Sequence, residues 1–409
     1  MPHPTLRAPV SPTRPALLAA ALALAAAPAA GQDPAPRDTV SIDRLLPAPV
    51  EAARGIRICA GGDVTLGTNL DTAWVHTARA RLGRRVPALP PPDSLVEPLR
   101  PLLEDADVVL WNVESAIGDG PANRRKCAPG STACFAFRAP AATAGALRRV
   151  SPEPAAVVAT LANNHARDDG DVGRRITIDH LLGAGVHVTG ADTLATVVVT
   201  ATGDTIAFLG FAQWTGPDPR DLAAVRRHVR RAARDHPLVV VTMHMGAEGR
   251  GAQRTRDATE TFYNEDRGNV VAFARAATGA GARLVFGHGP HVMRAVEWRE
   301  EALVFYSLGN LVTYGPFGLS EPMNRGALAC AVVEPGGRIA SAELRSTVLA
   351  YPGLVRPDPT HRAAALADSL GVLDFPRSGA RVDPVTGAVL RPNELPIGPV
   401  PAIVPRRPR

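Results

Sequence analysis

Polar residues of metal-binding type stand at the ends of short apolar runs at five places in this 409-residue chain. The run 56–60 leads through Gly61 and Gly62 to Asp63, and the run 106–111 leads to Asn112 and Glu114. The runs 154–161, 237–243 and 282–286 lead to Asn164 with His165, to His244, and to His288 with His291. A single polar residue after a strand is ordinarily a helix cap or a satisfied histidine. Histidine and glutamate are not preferred caps, however. Five such ends together supply carboxylate oxygens, an amide oxygen and neutral imidazoles, which is the donor set a borderline divalent metal takes.

The elements that must position these residues are legible in the same pattern. Continuous apolar runs of this length read as strands buried on both faces, the kind found where helices cover a largely parallel sheet. Between them lie helix candidates at 93–103, 141–150, 171–184, 219–234 and 258–277, several opening on Asp or with Pro in the first turn. The alternation predicts an α/β fold, in which ligands collect beyond the carboxyl ends of the strands. After Glu301 the pattern becomes strand, Gly-rich turn, strand across 302–306, 326–333 and 339–351, which predicts hairpins. From 351 to 409 the chain is rich in Pro, Asp and Arg and reads as a tail, with 360–370 its one helix candidate.

Composition bounds the function classes. Lys126 is the only lysine among 45 basic residues, so the formal charge of +6 is carried by arginine in a chain also heavy in proline and alanine. That bias fits the coding of a GC-rich genome, and no cluster interleaves Arg with stacking aromatics, so nucleic acid is not an expected partner. Residues 1–30 place Arg7 and Arg14 before an apolar run of Ala and Leu that ends in small residues. This reads as a cleavable secretory signal, too short in its apolar part to span a bilayer, and 31–54 reads as a Pro-rich linker. Export to a periplasmic or extracellular location would permit disulfides. Cys127 and Cys134 flank a Pro-Gly-Ser turn at a spacing that suits a local disulfide, whereas Cys59 and Cys330 lie inside apolar runs and read as buried small hydrophobes.

The motifs taken in order resemble a known family. Gly62-Asp63-Val-Thr-Leu-Gly67, Asn112-Val-Glu114, Asn163-Asn164-His165-Ala-Arg-Asp168-Asp-Gly170, His244-Met-Gly246-Ala-Glu248, Gly287-His288-Gly-Pro290-His291-Val292 and Tyr306-Ser-Leu-Gly-Asn310 follow those of the CapA family of bacterial poly-γ-glutamate capsule synthesis proteins. That family looks like a branch of the calcineurin-like metallophosphatase fold, and the likeness spans about residues 55–350. The resemblance implies a metallophosphatase-like layered sandwich of mixed sheets flanked by helices. It also implies two ions, of Mn, Zn or Fe, clamping the attacking and departing oxygens of an in-line displacement. Carried over, Asp63 would be the bridging carboxylate, Asn164 an amide ligand, and His244, His288 and His291 imidazole ligands. Glu114 would be a further carboxylate ligand with Asn112 as its competitor. His165 would be the general acid, and Asp168 or Glu248 would orient a histidine from behind. The substrate implied is an anionic polymer or a phosphoester, with association with membrane-bound capsule synthesis machinery.

Three departures stand beside the matches. Thr65 occupies the place of a superfamily histidine, Gly289-Pro290 separates two histidines that are usually one residue apart, and Met245 stands where the capsule family has tryptophan. They leave open a non-catalytic factor that binds or escorts an anionic polymer through the same cleft. The insertion 249–269 carries Arg250, Arg254, Arg256 and Arg267 directly after His244, and reads either as a solvated loop or as a cationic cover suited to an anionic substrate. Gly309 and Asn310 read as a structural turn. His76, His180, His187, His228, His236 and His361 lack strand-end placement and read as ordinary surface or core residues.

Overall fold

A computed structural model describes residues 55–66, 68–69, 89–123, 126–127, 134–314 and 319–394. The signal and linker readings of 1–54, and His76, lie outside the described residues.

Two mixed sheets form the centre. The first runs in the order Leu354–Pro357, Ile339–Ala350, Arg325–Val333, Ile56–Thr65, Val108–Val113, Ala156–Thr160, His187–Thr189, with Asn310–Thr313 also paired to Ile56–Thr65. The second runs Val296–Arg299, Ala302–Phe305, Leu284–His288, Leu238–His244, Thr205–Ala212, Thr196–Val199. Strand alternation divides the apolar side chains between an inner and an outer layer. Ile58, Val108, Leu110, Phe208, Val240, Phe286 and Phe305 meet in one core shared by both sheets. Their sequence neighbours Cys59, Val109 and Trp111 pack outward under the helices Ala142–Val150 and Gly170–Gly183. On the other sheet Val239, Val241 and Val285 pack outward under Leu222–Asp235 and Val270–Thr278. Both faces of every central strand are therefore buried, which is why the runs are continuous rather than alternating in polarity. The layered sandwich of mixed sheets flanked by helices is what the sequence implied.

Helix starts follow their local chemistry. Asp221 accepts from the Ala224 amide at 2.9 Å and Asn269 from the Ala272 amide at 2.9 Å, each capping the helix that follows. The helix expected over 258–277 begins only at Val270, because 260–268 forms a hairpin of Glu260–Phe262 with Glu265–Gly268. Tyr263 and Asn264 turn that hairpin with φ of 49° and 64°, a left-handed pair that a helix cannot contain.

Two further readings are corrected. Cys59 and Cys330 are not free hydrophobes: they sit directly opposite in the antiparallel register of Ile56–Thr65 with Arg325–Val333 and form a disulfide. Cys127 and Cys134 form the other, as their spacing suggested. The supposed tail is also packed as far as residue 394. Leu354–Pro357 extends the first sheet, and the helix Arg362–Asp374 buries Ala363, Ala364 and Ala367 in the core between the sheets. Trp298 donates its indole N–H to the Leu390 carbonyl at 3.0 Å, tying the last hairpin to the second sheet. Alanines make the contact of the helix with the core, and a stripe of alanine carries little hydropathic signal. Among the described residues no helix is long and apolar enough to cross a membrane.

Candidate metal centre

The strand ends meet where the two sheets face each other. Asp63 lies opposite Asn112 in the parallel register of its sheet, and His244 lies opposite His288 in the other. Gly62 is required for Asp63 to reach its place, since a Cβ there would stand 2.2 Å from the Gly309 carbonyl oxygen. The Asp63 amide donates to that same carbonyl at 2.8 Å. On the opposite side, Gly289 has a φ of 104° and its Cβ would press on the His244 ring at 3.0 Å. His291 itself adopts a left-handed φ of 58°, an uncommon backbone for a side-chain-bearing residue, of the kind found at functional sites.

Asp63, Glu114 and His291 each offer a donor atom, and these atoms lie within 4.8 Å of one another. His291 Nδ1 is 2.9 Å from Asp63 Oδ2, and its Nε2 is 3.7 Å from Glu114 Oε1. His288 Nδ1 stands 3.5 Å from Asp63 Oδ1, and His244 Nε2 stands 3.5 Å from Glu114 Oε1. All five side chains converge. Hydrogen bonding sets Asn112 and Glu114 apart. Asn112 donates to Asp63 Oδ1 at 2.9 Å and accepts from Asn163 at 3.1 Å, so both ends of its amide are committed. Glu114 has both carboxylate oxygens buried and without a partner. Asn112 is a brace, and Glu114 presents the open oxygens.

The same accounting tests whether a metal fits. Asn164 Oδ1, both nitrogens of His244 and both of His288 are buried without hydrogen-bond partners, and Asp63 Oδ2 and His291 Nδ1 have only each other, at 2.9 Å. Orphaned buried polar atoms are costly and rare in native proteins. Those of Asp63, Glu114, His244, His288 and His291 gather in one place and are all of ligand type, so these residues fit a divalent cation. Electrostatics agrees. Burial acts to raise the Asp63 carboxyl, but the contacts with His288 and His291 outweigh it and hold it well below the usual carboxylate range. Burial, then the charge of Asp63, pushes Glu114 well above its ordinary value. Burial lowers His244 well below a normal imidazole and keeps it neutral. For His291 burial is opposed and overcome by Glu114 and Asp63, which raise it to about 10.

His165 stands beside this cluster with its own support. Its Nδ1 lies 2.6 Å from Asp168 Oδ2, and its ring packs on Phe137 with centroids 4.6 Å apart. Asp168 is fully buried and also accepts from the Phe137 amide at 2.6 Å and from Lys126 Nζ at 2.5 Å. Asn163 couples the two groups, accepting from the His165 amide at 3.0 Å while donating to Asn112. Glu248 does not orient a histidine through a hydrogen bond. Its Oε2 is 3.9 Å from His291 Nε2, and its Oε1 instead pairs with Arg267 at 2.6 Å. Asn310 donates to the carbonyls of His291 and Met323, in keeping with a structural turn. Trp214 and Phe137 carried no signal that set them apart, because their roles come from neighbours more than 25 residues away.

The model of the family described as bacterial capsule synthesis protein PGA_cap matches residues 57–314, which hold every one of these side chains. The chain belongs to that family. The PGA biosynthesis protein CapA of Bacillus subtilis (strain 168) is 30% identical over 169 residues, 37% of this chain and 41% of the relative. The capsule biosynthesis protein CapA of Bacillus anthracis is 30% identical over 175 residues, 38% of this chain and 39% of the relative. The matched segments thus span about two fifths of those relatives' length. A solved structure of a 5'-nucleotidase precursor from Thermus thermophilus aligns with a TM-score of 0.36 and 13% identity, over 79% of this chain and 59% of that one. No residue is carried over at that level of likeness.

Proposed function

We propose that this chain is an exported capsule-biosynthesis protein of the CapA type whose strand-end cluster holds divalent metal and hydrolyses an anionic polymer or a phosphoester. The observation that carries this reading is the gathering of orphaned, buried ligand atoms on Asp63, Glu114, His244, His288 and His291. A bound cation, whether manganese, zinc or iron, would supply a Lewis acid and an activated water at neutral pH. Asp63 and Glu114 would hold it with the three imidazoles, and Asn164 would add its amide oxygen. The chain's own contribution to proton transfer is His165. Asp168 occupies Nδ1, which leaves Nε2 as the nitrogen able to give a proton to a departing oxygen. Two disulfides support export, since they persist in oxidising compartments. Association with membrane-bound capsule machinery belongs to the same reading. Elemental analysis of purified protein, with hydrolysis of p-nitrophenyl phosphate, tests it. Stoichiometric metal that is lost in His244→Ala, and turnover abolished by Asp63→Asn, are the expected results.

A second reading, a non-catalytic factor that binds or escorts an anionic polymer, is favoured by one observation. Among the described residues the close donor group is a single triad, and Thr65 stands where a further histidine would serve a second ion. Binding of poly-γ-glutamate with no turnover of phosphoesters or γ-glutamyl bonds would select it.

A further inference from the structure

Arg267 lies on the hairpin beside the metal centre and is only 5% exposed. Its guanidinium is 4.5 Å from the centroid of Trp214 and 5.3 Å from that of Phe262. Nη2 donates to Glu248 at 2.6 Å. Nε stands 2.9 Å from Glu265 Oε2 without hydrogen-bond alignment, and Nη1 has no partner. Of the described arginines it alone leaves two buried guanidinium nitrogens unsatisfied. A buried N–H of this kind costs stability unless something accepts from it. Two side chains carry Arg267 to the candidate ligands. Glu248 reaches from Arg267 to within 3.9 Å of His291, and the Trp214 ring that Arg267 covers lies 6.0 Å from the ring of His244. Trp214 is fixed in turn by its indole N–H, which donates to Glu265 at 3.0 Å. A cation clamped on rigid neighbours, one residue away from a carboxylate-rich cluster, answers a specific need. An anionic substrate approaching Asp63, Glu114 and Glu248 meets like charge unless a fixed positive group receives it.

We propose that Arg267 receives an oxyanion of the substrate through Nη1, the guanidinium nitrogen that no protein atom satisfies. The inference rests on the metal-site reading above and adds the group that selects for anionic substrates. A phosphoryl and a carboxylate oxygen share the chemistry involved, that of an anionic acceptor facing a charged guanidinium N–H.

The test is calorimetric titration of the manganese-loaded full chain with inorganic phosphate and, separately, with sodium glutamate, for the wild type, Arg267→Gln and Arg267→Lys. The wild type is expected to bind at least one of the two anions, and the tighter one assigns the phosphoryl or the carboxylate source. Arg267→Gln is expected to weaken that anion by at least about tenfold, the cost of losing a charged hydrogen bond. Manganese affinity should stay within about threefold of the wild type, because Arg267 holds no candidate ligand directly. Arg267→Lys keeps the charge and the stem over Trp214 but not the Nη1 donor, so it should also weaken the anion, and it carries the test if the Gln variant does not fold. Unchanged anion affinity in the folded variants, with manganese still bound, overturns the assignment and leaves the metal site standing. Failure of the wild type to bind manganese overturns both.

Discussion

Glu114→Gln should change stability in opposite directions with and without metal. In the cation-free site the Glu114 and Asp63 carboxylates are buried together, with donor atoms no more than 4.8 Å apart. Two unit charges at that distance cost about 3 kcal/mol at an effective dielectric of about 20, and the protein avoids the cost only by keeping a proton on Glu114. The sign follows from linkage. A carboxyl whose folded value is raised contributes most below its unfolded value, and stability falls as pH rises towards the folded one. Glutamine has the shape of the protonated acid and removes that penalty. The cation-free variant should therefore gain up to about 3 kcal/mol at neutral pH, a rise of a few degrees in Tm. Metal reverses the order. At a manganese concentration of about 100 times Kd the wild type gains about 2.7 kcal/mol, and a hundredfold weaker variant gains about 0.4 kcal/mol. Thermal unfolding after chelation, with and without added manganese, measures both quantities. A chelated Glu114→Gln protein less stable than wild type, or one with an undiminished manganese shift, would refute the reasoning.

Three further outcomes follow. Metal uptake near neutral pH should release protons, because Glu114, raised by burial and by Asp63, and His291, whose burial is overcome by its contact with Asp63, both hold protons in the cation-free site. Affinity should accordingly rise with pH through neutrality, and calorimetry in two buffers of different ionisation enthalpy counts the protons; a count of zero excludes Glu114 and His291 as ligands. Asp168→Asn should lower turnover of p-nitrophenyl phosphate by about tenfold to a hundredfold while leaving metal content unchanged, since Asp168 holds His165 and touches no candidate ligand; steady-state kinetics beside elemental analysis separates the two. Replacing Cys59 and Cys330 together by alanine should cost about 2–5 kcal/mol, because the bridge closes a segment of 271 residues in the unfolded chain. Denaturant unfolding gives this value, and an unchanged midpoint would show that the pair does not bridge in solution.

The sequence by itself determined the local pattern. Continuous apolar runs, the turn residues that bound them and capping residues act within a few positions of one another, so the strands, most helices and the five polar strand ends were legible without coordinates. Order along the chain even singled out Asp63, Glu114, Asn164, His165, His244, His288 and His291. Only the tertiary structure decided which atoms are committed and which are open. Asn112 and Glu114 are two residues apart and equally plausible as ligands, yet sheet pairing turns one amide into a brace between Asp63 and Asn163 and leaves the other side chain unsatisfied. Register likewise set Cys59 against Cys330, and hairpin geometry carried Arg267 out of a presumed helix onto Trp214 and Glu248. The alanines of 362–374 could not announce their place either, since a small side chain shows its value only against the surface it fills. These contacts join residues separated by tens to hundreds of positions. Their energies depend on what lies opposite, which no local window contains.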